Sequence, residues 1–69
     1  MDKIAIGTKV REIFSGKICI IVADKENPLM PNEGVNVQPI YPIVDNDCIL
    51  RTIDAGEFIH AAYNHLDFV

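Results

Sequence analysis

Tryptophan is absent, and the five aromatic residues, Phe14, Tyr41, Phe58, Tyr63 and Phe68, are scattered along the chain. That leaves too few clustered rings for an aromatic cage around a quaternary ammonium ligand. Cysteine is scarce as well. Cys19 and Cys48 stand 29 residues apart with no C-x-x-C between them, which excludes a zinc ribbon or a thioredoxin-type site. They read as two reduced core thiols, with a Cys19–Cys48 bridge as the alternative in an exported chain. No apolar run approaches the ~18 residues that span a bilayer. The opening "MDKIAIG" lacks the long apolar segment of a signal peptide. A soluble cytoplasmic protein with no membrane role is the expectation.

Basic residues are nearly missing from one half. Residues 34–69 hold only Arg51 against Asp45, Asp47, Asp54, Glu57 and Asp67. Residues 1–33 balance Lys3, Lys9, Arg11, Lys17 and Lys25 against Asp2, Glu12, Asp24, Glu26 and Glu33, so the whole net charge of −4 falls in the second half. A phosphate backbone rewards clustered lysine and arginine. Nucleic acid is therefore a disfavoured partner, and the one cluster that would serve it is Lys9, Arg11 and Lys17, around a single turn. Neither G-x-G-x-x-G nor a Walker sequence is present, so nothing here cradles a phosphate. The "DND" at 45–47 lacks the spaced ligands of a calcium loop and reads as a solvated turn.

What is present is short and punctuated. With 69 residues the chain is one domain, 1–69, and folding hides only about 60% of the surface of an unfolded chain this small. Helical periodicity is poor, and the proline-bearing stretches "ENPLMPNEG" and "QPIYPIVDND" interrupt any long helix. Strands are expected at 7–13, 18–23, 35–41, 48–53 and 58–61. Tight turns are expected at 14–17 and 54–57, where Gly16 and Gly56 take positive φ. The run "ICIIVA" at 18–23 fits a central strand buried on both faces. A single 3₁₀ turn is expected within 61–66. Val10, Ile20, Val22, Val37, Leu50 and Phe58 are the expected core, with Ile4 and Ile6 laid over the outer side of the central strand.

"IGTKVREIFSGKICIIV" (6–22) and "ILRTIDAGEFIHAAYNHLDFV" (49–69) together resemble the SH3-like small barrels, of which KOW and Tudor-type domains are members. The shared pattern is a Gly-x-x-Val strand, a Ser-Gly turn and an apolar strand. A hairpin around an acidic-Gly turn follows, and a 3₁₀ turn leads into a last short strand. The resemblance implies an all-β fold, a five- to six-stranded SH3-like barrel with a short 3₁₀ turn near the C-terminus. It covers the chain apart from residues 25–47 and carries over no functional residue. The missing aromatic cage and the acidic balance both depart from the best-known uses of such domains.

Chemistry is thinly represented. His60, His65 and Cys48 are the candidates for a metal or ligand site or a Cys–His pair. A spacing of five puts the two imidazoles on neither one strand face nor one helix face. No catalytic, cofactor-binding or metal-binding residue is therefore assigned. The leading expectation is a small accessory module working through protein–protein contacts. It would be a homodimer or larger assembly, or a phage- or mobile-element-encoded inhibitor of a host protein. The alternative is a small-ligand or metal binder, or a minor enzyme, using His60, His65 and Cys48. Candidate contact residues are Leu29 and Met30, a proline-flanked apolar knob, together with Ile18 and Ile21 on the central strand and the acidic Asp45 and Asp47.

Overall fold

Five strands and one 3₁₀ turn follow one another along the chain, in a computed structural model that describes residues 3–28 and 44–69. They are β1 (Lys9–Glu12), β2 (Ile18–Asp24), β3 (Asp47–Thr52), β4 (Phe58–Ala62), the turn Tyr63–His65, and β5 (Leu66–Phe68). The strands form one antiparallel sheet in the order β4-β3-β2-β1-β5, which puts β2, the apolar run, at its centre. The strand expected at 35–41, with Val37, lies outside the described residues.

The two hairpins share one construction. In the first, Glu12 N–H donates to Lys17 O and Gly16 N–H to Glu12 O; in the second, Thr52 N–H donates to Glu57 O and Gly56 N–H to Thr52 O. Each loop has four residues and ends on a glycine, Gly16 at φ 71° and Gly56 at φ 69°, where an L side chain would be strained. Side chains complete the loops differently. The Glu12 carboxylate accepts the N–H groups of Phe14 and Ser15, both at 2.9 Å. The Thr52 hydroxyl accepts Glu57 N–H at 2.9 Å.

β4 and β5 stand at opposite ends of the strand order, yet only the residues of the 3₁₀ turn separate them. Four strand spacings in a flat sheet would set those edges about 19 Å apart, while four extended steps of chain reach at most about 14 Å. The sheet is therefore strongly curled. No ladder joins β4 to β5 among the described residues, so the sheet is not closed. Val10, Cys19, Ile21, Cys48, Leu50 and Tyr63 fill the inside of the curl, with Ile4, Ile59, Ala61 and Leu66 packed around them.

The phase of β2 differs from the expected core. Cys19 and Ile21 point inward and are fully buried, whereas Ile20 and Val22 lie half-buried on the outer face and Phe58 is 45% exposed. Val10 and Leu50 are core as expected. A run that is apolar at every position carries no period-2 signal to choose between its faces. A β-bulge adds to the ambiguity. Ile21 pairs with Leu50 and Ala23 with the adjacent Ile49, leaving Val22 as the extra residue. Beyond it the phase flips, and Asp24, opposite Cys48, turns in and is buried. Burial pushes the Asp24 carboxyl up, but hydrogen bonds from Asn27 and Glu26 and the charge of Lys3 outweigh it and hold it below the usual range. Lys3 pairs with both Asp24 and Glu26. The N-terminal segment is thereby fastened to the end of β2, with Ile4 against the inner core and Ile6 exposed, rather than both covering the outer side.

Candidate functional site

The outward face of β1, β2 and β3 is the part of the surface that the fold leaves chemically mixed. Partners in an antiparallel ladder share a face, so the register fixes its rows. One row runs Lys9, Ile20, Arg51, Phe58; the next runs Asp67, Arg11, Ile18. Ile20 thus has a cation on the strand to either side. The row of Arg11 and Ile18 continues to the turn at 53–56, because Ile53 N–H donates to Ile18 O at 3.1 Å and extends the β2–β3 pairing by one residue.

Between β2, β3 and that turn lies a groove of about 530 Å³. Ile20, Val22 and Ile53 give it aliphatic walls, and Arg51 and Gly56 border it. The Arg51 guanidinium lies 5.9 Å from the centre of the Phe58 ring, within cation–π range. A Cβ at Gly56 would meet the same guanidinium at 3.3 Å. Glycine therefore serves two ends here, the positive φ of the turn and the close lie of Arg51 against it.

The expected contact residues fall in different places. Ile18 is half-buried on the outward face beside the groove. Ile21 is 0% exposed inside the core, on the opposite face of β2, and offers nothing to a partner. Asp45 is exposed and paired with Lys25 at 2.6 Å. The Asp47 carboxylate lies 3.0 Å from His60 Nε2. Leu29 and Met30 lie outside the described residues.

The alternative set is dispersed. Cys48 faces the core, while His60, opposite Ile49 on β4, faces outward. His65 ends the 3₁₀ turn and packs edge-on against Phe14, with ring centres 4.8 Å apart. Burial, with help from Asp47 and Asp24, pushes the Cys48 thiol up to about 12. Burial raises Cys19 too. Both cysteines are free. Their ladder partners, Thr52 and Asp24, place them about four residues apart along the sheet, roughly 13 Å and beyond the reach of a disulfide. Among the described residues no group of three histidine, cysteine or carboxylate side chains could hold a metal ion. Among them, too, no helix is long and apolar enough to cross a membrane.

Lys9 and Arg51 were not singled out as a pair by sequence reasoning, although a signal existed. Counting back from the two glycine turns pairs residue 9 with 20 and residue 51 with 58, as the ladders do. Comparison of the chain with protein-family models, curated proteins and solved structures finds no match.

Proposed function

We propose that this chain is a small protein-interaction module, an SH3-like barrel in layout, that binds another polypeptide through the outward face of β1, β2 and β3. One observation carries the reading. The interior is already filled by Val10, Cys19, Ile21, Cys48, Leu50 and Tyr63, yet the outer side of the same strands keeps Ile18, Ile20, Val22 and Ile53 around a groove among its exposed cations. Contiguous apolar surface of this kind marks contact sites. The glycine turns at 16 and 56 and the 3₁₀ turn leading into the last strand support the SH3-like layout.

The test is a random-peptide display selection on the intact protein, with an Ile53→Glu variant as counter-target. Ile53 is exposed, so the variant keeps its thermal melt. Peptides enriched on the wild type and lost on the variant are the expected result. A selection that enriches nothing, or peptides indifferent to Ile53→Glu, refutes the reading.

A further inference from the structure

We infer that the segment this face receives is acidic, with an aliphatic side chain in the groove and a carboxylate on either side of it. This rests on the interaction reading above and names the chemistry of the partner.

The argument begins with the fate of the basic side chains. The chain has six lysines and arginines in total. Among the described residues, Lys3, Lys17 and Lys25 form ion pairs, and Lys9, Arg11 and Arg51 form none. All three of the latter are exposed on the outward face of the same three strands. Their rows contain one acid, Asp67, opposite Arg11. A chain with a net charge of −4 thus presents a locally positive surface, and that surface borders its apolar groove.

Spacing narrows the ligand. Lys9 and Arg51 flank Ile20 from neighbouring strands, so their backbones stand about 10 Å apart, two strand spacings. In an extended segment side chains alternate faces, so two carboxylates and the aliphatic residue between them share one face at positions i, i+2 and i+4, a span of about 13 Å that the long Lys9 and Arg51 side chains can meet. An aliphatic side chain between them meets Ile20, Val22 and Ile53. Two other occupants fit less well. Single-stranded nucleic acid wants open aromatic faces for its bases, and here the groove walls are aliphatic and Phe58 carries Arg51. Among the described residues, most of the acids that a second copy would offer are already engaged, Glu26 by Lys3, Asp45 by Lys25, Asp47 by His60 and Glu57 by Lys17, which leaves Asp54 and Asp67.

The experiment reads the composition of the selected peptides and then their binding. The expected pool is enriched in aspartate and glutamate around an aliphatic residue. A representative peptide, synthesised with a fluorophore, should bind the wild type with affinity that falls as salt rises. Lys9→Glu and Arg51→Glu should each weaken it about tenfold, the scale of one good charge pair. Glutamine in place of each carboxylate of the peptide should do the same, an arm that needs no protein variant. A pool without acidic bias, or binding indifferent to salt and to both charge reversals, overturns this inference while leaving the interaction reading in place. Empty selection defeats that reading itself, and this inference with it. Tight binding of an oligothymidine probe would overturn it in favour of nucleic acid. Concentration-dependent sedimentation abolished by Arg51→Glu would put a second copy on the face and overturn it likewise.

Discussion

Lys17 Nζ lies 3.3 Å from Glu57 Oε1, and the two residues occupy the same position in the two hairpin loops, each just after the glycine that ends it. The loops "EIFSGK" and "TIDAGE" are thus matched in backbone and joined at their bases by opposite charges. The pair is exposed, so its own contribution is small. The glycines matter more. Gly56→Val should cost about 1–2 kcal/mol for the left-handed backbone alone, with crowding against Arg51 added. Ala55→Val, one residue away and exposed, should stay within about 0.5 kcal/mol. Urea melts of both variants decide the matter, and equal losses would rule out a left-handed backbone at Gly56.

The two faces of β2 should respond unequally to truncation. Ile21 is fully buried against Val10 and Leu50, and Ile21→Ala should cost about 2–4 kcal/mol. Ile20 is half-buried by the groove, and Ile20→Ala should cost about 1 kcal/mol or less. The reverse order in chemical denaturation would return the strand to the opposite phase.

Acid should weaken the first hairpin. The bond from Phe14 N–H, with Ser15 beside it, holds the Glu12 carboxyl below its usual range despite burial. A carboxyl lowered on folding stabilises the fold fully above its unfolded pKa, and that stabilisation is lost as pH falls through the folded value. Asp24 acts in the same direction. Melting temperature should therefore decline as pH drops from about 5 toward 3. Glu12→Gln should start lower at neutral pH and fall less steeply. Parallel curves for the two proteins would remove Glu12 as a contributor.

Tyr63 gives a prediction of opposite sign. It is 2% exposed, its N–H donates to Asn46 O, and its hydroxyl has no hydrogen-bond partner among the described residues. An unpaired buried hydroxyl is a cost of about 1–3 kcal/mol. Tyr63→Phe keeps the ring in the core and removes the hydroxyl, so the variant should be at least as stable as the wild type. A loss of more than about 1 kcal/mol would show that the hydroxyl is satisfied in solution.

The turns and the order of elements were legible in the sequence because Gly16, Gly56 and the polar residues around them are strong local signals. The strands observed at Lys9–Glu12, Ile18–Asp24, Asp47–Thr52 and Phe58–Ala62 lie within about three residues of those expected, and the 3₁₀ turn falls inside 61–66. What was not legible is phase. "ICIIVA" is apolar on both sides, and no local residue announces the bulge at Val22. The outward face was therefore hidden as well. Ile18 lies on it and Ile21 does not, and Lys9 and Arg51 meet around Ile20 only once three strands are in register. Tyr63 was assigned to a turn by its neighbours, and nothing near it in sequence says that its ring closes the core.

The placing of the thiols has a consequence for where such a chain could be used. Cys19 and Cys48 point into the same interior, stay protonated, and stand too far apart to bond. Moving the folded protein from a reducing to an oxidising solution would neither add a cross-link nor remove one. Its architecture carries no redox memory.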